Sequence, residues 1–134
     1  MKKIFFVFLL SVFLSFPAFA ANTVNDTGTV GRIVEVSAMD SDFVLMTRTG
    51  YTQYSTSGGV PIEAVLFFPG AANDILVLRD TAADTGPRIA SIQSLDGEPR
   101  MLPLRGVKIK PVIDYSDCTL SAGAFVVFIL TPPK

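Results

Sequence analysis

The stretch that decides the fold is PIEAVLFFPGAANDILVLRD, residues 61–80. It contains two apolar runs, 61–68 and 75–79, and the segment between them is made of Pro, Gly, Ala, Asn and Asp. β-branched and aromatic residues are common in both runs, and neither shows the sustained 3.6-residue spacing of an amphipathic helix. We therefore predict two β-strands that a strong turn at 69–74 joins as a hairpin.

The same alternation of apolar runs and turn residues continues in both directions along the chain. Further strands are predicted at 30–36, 43–47, 51–54, 88–93, 101–104, 106–113 and 124–130. Pro111 lies inside one of them and predicts an edge position or a bulge, because proline has no N–H to donate to a strand ladder. About eight short strands predict an all-β fold, a single antiparallel β-sandwich of jelly-roll or related type.

The first 20 residues have the organisation of a secretory signal peptide. Lys2 and Lys3 give a positive start, and an apolar run occupies 4–16. Pro17 then precedes the small-x-small motif AFA at 18–20, which predicts cleavage after Ala20. The alternative is a retained anchor, although the run is shorter than the roughly 20 apolar residues of a spanning helix.

Export of this kind predicts a secreted, periplasmic or surface-exposed protein. Membrane contact is expected only through 4–16, and only if the signal is retained. After cleavage, a small polar arm is expected at 21–29 and one β-sandwich domain at 30–131. Loss of Lys2 and Lys3 would leave 9 of the 11 basic residues against 12 acidic ones, so no basic footprint for nucleic acid is present.

Several kinds of chemistry are excluded by composition. The chain has no histidine and no tryptophan, which removes Ser-His-Asp and Cys-His catalysis and the commonest transition-metal ligand. Cys118 is the only cysteine, so an intramolecular disulfide is impossible. We interpret it as a buried small apolar residue; the alternatives are an intermolecular disulfide or a reactive thiol.

Carboxylates are the remaining candidates for chemistry. Two short acidic groups, Asp40 with Asp42 and Asp114 with Asp117, could contribute oxygen ligands to calcium, but neither has the spacing of a known calcium loop. A glycosidase would need a carboxylate pair, and the sequence does not pair the available residues: Asp114, Asp117, Glu63 and Glu98. Solvated turn carboxylates are the simpler interpretation. We predict a protein without catalytic residues, metal or cofactor.

The polar segment RTGYTQYSTS at 48–57 is the candidate contact surface. Tyr51, Gln53 and Tyr54 lie in it, and Tyr115 is the third tyrosine of the chain. Such side chains suit contacts with another protein or a glycan, and an ordinary polar hairpin is the alternative. An exported protein that self-assembles or docks on a partner is the first functional hypothesis. A secreted carbohydrate- or calcium-binding module is the second.

The order of features at 61–130 resembles small β-sandwich virion proteins of tailed bacteriophages. The segments that carry the resemblance are PIEAVLFFPGAANDILVLRD, RIASIQS, LRGVKIKPVI and CTLSAGAFVVFIL. The resemblance implies a structural, oligomeric role at a virion or cell surface and supplies no catalytic residues. The signal peptide departs from this class, because tailed-phage virions assemble in the cytoplasm. An extracellular filament, a bacterial surface protein or a membrane-containing virus agrees better with export.

Overall fold

The structure, a computed structural model, describes residues 22–27, 33–45 and 59–131, without the side chains of 24–27. The predicted signal peptide lies outside these residues, as do the predicted strand at 51–54 and the whole polar segment at 48–57. No helix in the described part of the chain is long and apolar enough to cross a membrane. The strands are β1 (Thr23–Thr27), β2 (Ile33–Ser37), β3 (Phe43–Val44), β4 (Val60–Phe68), β5 (Asp74–Asp80), β6 (Arg88–Ser94), β7 (Arg100–Ile109), β8 (Pro111–Ile113) and β9 (Phe125–Leu130).

The strands form two antiparallel sheets, and the chain is an all-β sandwich as predicted. One sheet has the order β1-β2-β9-β4-β7 and the other β3-β8-β5-β6. The pairs β2–β9, β3–β8, β4–β7 and β5–β6 are nested about the β5–β6 hairpin. One long antiparallel ribbon wrapped across two layers produces this order, which is the jelly-roll arrangement.

Alternate residues of the strands build the core between the two sheets. Phe128 of β9 is fully buried, opposite Val34 of β2 on one side and Val65 of β4 on the other. Phe43 of β3 in the other sheet stacks on it, with ring centroids 6.2 Å apart. The apolar run predicted at 124–130 is therefore a central strand, and both of its hydrogen-bonding edges are paired.

The hairpin predicted at 61–80 is wrong, although both of its strands exist. β4 belongs to the five-stranded sheet and β5 to the four-stranded sheet, so the turn between them crosses the sandwich. Asn73 has a φ of 69° and adopts the left-handed conformation that this reversal uses. A strong turn signal predicts where the chain reverses but not which sheet the next strand joins.

The strands predicted at 101–104 and 106–113 are divided differently in the structure. β7 runs from Arg100 to Ile109 without a break. Arg105 and Gly106, with φ of 52° and 78°, form an irregularity inside this strand and not a turn between two strands. Lys110 leaves the ladder, and its N–H donates to Asp80 Oδ1 at 2.8 Å. Pro111 then begins β8 in the other sheet. β7 is thus the edge strand of its sheet, whereas Pro111 lies where the chain passes from one sheet to the other.

The polar arm predicted at 21–29 is also wrong over most of its length. Thr23–Thr27 is strand β1, which pairs antiparallel with β2 from Thr23 opposite Ser37 to Thr27 opposite Ile33. Pairing with a free sheet edge uses backbone groups and does not require apolar side chains. The folded domain therefore includes residues that composition alone assigned to the polar arm.

Candidate functional site

A network of charged side chains covers one part of the four-stranded sheet. Asp114 follows β8 with its side chain fully buried, and Arg79 of β5 donates through Nε to its Oδ2. A terminal nitrogen of Arg79 lies 2.5 Å from Asp117 Oδ2. Ser116 Oγ donates to Asp114 Oδ1 at 2.8 Å, and the Asp84 N–H donates to Asp114 Oδ2 at 3.1 Å. The network ties the β5–β6 loop to the β8–β9 connection.

The electrostatics of this network favour a structural role for the predicted Asp114 and Asp117 pair. Burial acts to raise the pKa of Asp114, but hydrogen bonds from Ser116 and Arg79 outweigh it and hold the pKa below its usual value. The hydrogen bond to Asp114, which is the largest cause, and the one to Asp117 raise the pKa of Arg79. Both carboxylates are thus bound to the guanidinium of Arg79.

The other predicted acidic residues are dispersed. Asp42 Oδ1 accepts a hydrogen bond from the Tyr115 N–H at 2.8 Å, and Asp40 Oδ1 accepts one from Ser41 Oγ at 3.0 Å. Glu63 on β4 and Glu98 in the β6–β7 connection are both exposed. Within the ranges that the structure describes, no group of three or more acidic, histidine or cysteine residues could hold a metal ion.

A second enclosed carboxylate, Asp74 at the start of β5, joins two turns. The sequence prediction did not single it out, because it closes an ordinary turn segment. It is 1% exposed and accepts hydrogen bonds from Gly70 N–H at 2.8 Å and Ala71 N–H at 3.3 Å. From the β8–β9 connection, the Ser121 hydroxyl donates at 2.6 Å and its N–H at 3.0 Å. A Cβ on Gly70 would lie 2.5 Å from the Ala122 carbonyl oxygen, so glycine permits this close approach.

Cys118 replaces a missing backbone partner. β8 pairs with Leu78–Asp80 at the end of β5, and farther along the chain Thr119 forms a bridge with Ile75 at the start of β5. Val77 pairs with Ser91 of β6 on one side, but no strand residue pairs with it on the β8 side, where its N–H donates to Cys118 Sγ at 3.2 Å. The side chain is half-buried against the core, and this burial raises the pKa of the thiol to about 11. The geometry favours the interpretation of Cys118 as a packed structural residue.

We therefore expect the Cys118 thiol to react slowly in the folded protein. At pH 8 a pKa of about 11, raised from 9.0, leaves on the order of 100-fold less thiolate than in the unfolded chain. Labelling with iodoacetamide should be slower by at least that factor without urea than with it. Because the folded pKa is the higher one, this thiol stabilises the fold below pH 9, and the contribution is lost as the pH rises from 9 to 11. Equal labelling rates in both conditions would contradict this assignment.

Of the predicted contact surface, only Tyr115 lies within the described residues. Tyr51, Gln53 and Tyr54 fall outside them, so the predicted grouping stays a prediction. Tyr115 is half-buried and lines a cavity of about 250 Å³ together with Met39, Leu120 and the turn at 121–124. Ligand pockets usually measure roughly 300–1,000 Å³, so this cavity is small for a drug-sized ligand.

Three of the large exposed apolar side chains lie on or between the strands at one edge of each sheet. We call this the β6–β7 side: strand β6, strand β7 and the connection 95–99 between them. Leu95, Met101 and Val107 lie there and are 65%, 64% and 53% exposed. The fourth large exposed apolar residue among those described is Ile33 on β2, at 40%. The sequence prediction did not include these residues, because only polar and aromatic side chains indicated a contact surface.

An apolar sheet face adjoins the β6–β7 side. The outer face of the five-stranded sheet carries Phe68 of β4 stacked on Phe125 of β9, with ring centroids 4.3 Å apart. Leu66 and Val127 pair beside them, and all four side chains are half-buried. Met101 of β7 lies directly opposite Leu66. Met101 is therefore continuous with a partly shielded apolar surface.

Comparisons of the chain with models of protein families, with curated proteins and with solved structures found no match.

Proposed function

We propose that this chain is an exported, non-enzymatic structural protein that self-associates through the β6–β7 side. The observation that carries the proposal is the exposure of Leu95, Met101 and Val107 on that side. Single exposed apolar residues are ordinary, but several on one side of a small domain are typical of a protein contact surface. Export rests on the signal-peptide pattern, and the site of action would be a cell or virion surface.

Apolar residues on β5 and β8 are covered whereas those of the β6–β7 side are exposed, and this difference supports the choice of surface. Val77 of β5 and Val112 of β8 are 2% and 0% exposed, although both lie outside the main core cluster. The β8–β9 connection lies beside Val77, whose N–H donates to Cys118 Sγ. The chain thus covers its own apolar residues there and leaves those of the β6–β7 side open.

The enclosed polar groups support a non-enzymatic role. Asp74 and Asp114 are the two most enclosed carboxylates of the described chain, and hydrogen bonds hold the pKa of each below its usual value. The oxygens of both carboxylates accept hydrogen bonds from backbone and side-chain donors, and these bonds connect loops. A general acid near neutral pH needs the opposite shift, toward the operating pH. Their chemistry therefore suits cross-linking of the fold rather than proton transfer.

Self-association is tested with light scattering after size-exclusion chromatography of protein purified from expression of the full chain. We expect the mass of two or more chains and a shift toward the monomer on dilution. The double substitution Leu95→Lys with Met101→Lys should raise the dissociation constant by more than about 10-fold, because charged groups would have to be desolvated in the interface.

The matched control places the same new charge away from the proposed surface. Ile33→Lys changes an exposed apolar residue on β2 and should leave the oligomeric mass unaltered. A monomer at all concentrations, or equal weakening by Ile33→Lys and by the double substitution, would overturn the proposal.

A further inference from the structure

The free edges of the sheets differ in their protection against pairing. β3 is only two residues long, and short edge strands are poor templates. β7 carries Pro103, which has no N–H, and left-handed backbone at Arg105 and Gly106. It also carries the exposed Lys108. Prolines, irregularities and lysines are the devices by which edge strands avoid pairing with another chain.

β6 has few of these devices. Its seven residues, RIASIQS, include neither proline nor lysine. An irregularity occurs only near its start, and from Ala90 to Ser94 it pairs regularly with β5. In the described part of the chain no other strand hydrogen-bonds to its outer edge. Five consecutive residues therefore offer a regular, unpaired ladder on the same side as the exposed apolar residues.

We propose that β6 pairs antiparallel with β6 of a second copy about a two-fold axis at Ile92, which joins two four-stranded sheets into one continuous sheet. The inference rests on the proposed self-association and specifies its geometry. In this register Ser91 lies opposite the partner's Gln93. Both side chains are accessible on the outer face of the sheet, so no buried group has to move to form the pair.

Charge selects this register over its neighbours. Arg88 and Asp96 lie equally far before and after Ile92 in the sequence, so the axis brings each Arg88 close to the partner's Asp96. The two side chains are 51% and 55% exposed and are available to a second chain while keeping their partners Asp117 and Arg100. The symmetry of the dimer forms this contact twice. Exposed ion pairs contribute little affinity, but they do fix register.

The apolar residues of this side also favour a second copy. Leu95, just past the end of β6, would lie near the partner's Ile89. A two-fold contact uses the same patch on both chains and closes on itself, so the free edge is consumed in the dimer rather than extended into a fibre. The protected strand β7 cannot add a second ladder in the same way.

Disulfide trapping in full-chain protein tests the register. Ser91→Cys and Gln93→Cys variants are purified separately, mixed and oxidised with diamide. Directly opposite residues have Cα atoms about 4.5–5.5 Å apart, within disulfide range, whereas the two copies of position 91 would be about 8 Å apart. We expect about half of the mixed sample, the share of mixed dimers when subunits pair at random, to form covalent dimer, and either variant alone to form less than about a tenth. The native Cys118 serves as the background in unsubstituted protein.

The outcomes separate the two proposals. Cross-linking of Ser91→Cys alone as efficiently as the mixture overturns the register. Dimers in light scattering without cross-linking in any combination overturn the β6 pairing while self-association stands. Monomers throughout overturn both. A circular dichroism spectrum unchanged by each substitution establishes that the variants are folded.

Discussion

Replacing Arg79 with methionine should lower the melting temperature by about 10–20 °C, because it leaves a buried carboxylate without its cation. Asp114 has a fully buried side chain, and Arg79 is its only charged partner of opposite sign in the network. Ser116 and the Asp84 N–H would remain as donors, but neither neutralises the charge. Methionine keeps most of the apolar stem of arginine, so the loss reports the guanidinium group, with its charge and its hydrogen bonds to Asp114, Asp117 and the Gly86 carbonyl. Thermal unfolding followed by circular dichroism measures it.

The chain contains a matched control for this substitution. Arg100 forms an ion pair with Asp96 at 2.6 Å, with side chains 38% and 55% exposed. Arg100→Met should change the melting temperature by no more than a few degrees, since exposed pairs contribute little. Adding Asp114→Asn to Arg79→Met should recover part of the loss by removing the unpaired charge. Equal effects of the two arginine substitutions would contradict the account of Asp114 as a buried, cation-dependent group.

The sequence predicted the strands of this fold better than it predicted their partners. The spans at 61–68, 75–79, 88–93 and 124–130 all lie within a residue of observed strands. Alternation and turn residues are local properties, so a single chain displays them directly. Whether β4 and β5 pair or cross between sheets depends on contacts with β7 and β9, which are distant along the chain. The hairpin prediction failed for that reason.

The polar clusters were only half predictable. Asp114 and Asp117 were recognised as a candidate pair because they are close in sequence, but Arg79 comes from a strand 35 residues earlier than Asp114. Nothing local indicates that a guanidinium would bind both carboxylates. The continuation of 106–113 into the other sheet was missed similarly, because a proline alone cannot distinguish a bulge from a change of sheet.

Asp74 was missed although the two turns that it joins were both recognised as turns. The prediction for it is a loss of about 2–4 kcal/mol in the free energy of unfolding on replacement with alanine. Three N–H groups and one hydroxyl, from Gly70, Ala71 and Ser121, would lose their acceptor in a site that water reaches poorly. Urea denaturation at pH 7 measures the loss.

Ser121→Ala and low pH separate the contribution of Asp74 from a general disturbance of the turn. Ser121→Ala removes only the hydroxyl donor and should cost about 0.5–1.5 kcal/mol in the wild-type background and less in the Asp74→Ala background, where its acceptor is already gone.

Burial acts to raise the pKa of Asp74, but the hydrogen bonds from Ser121, Gly70 and Ala71 hold it below 3.8. A lowered folded pKa stabilises the protein above the unfolded pKa, and the contribution is lost as the pH falls below it. The difference between wild type and Asp74→Ala should therefore be constant from pH 7 to about 5 and shrink below about pH 4, because only an ionised Asp74 holds the two turns together at full strength. A difference that stays constant down to about pH 2 would show that the carboxylate charge does not bind the turns.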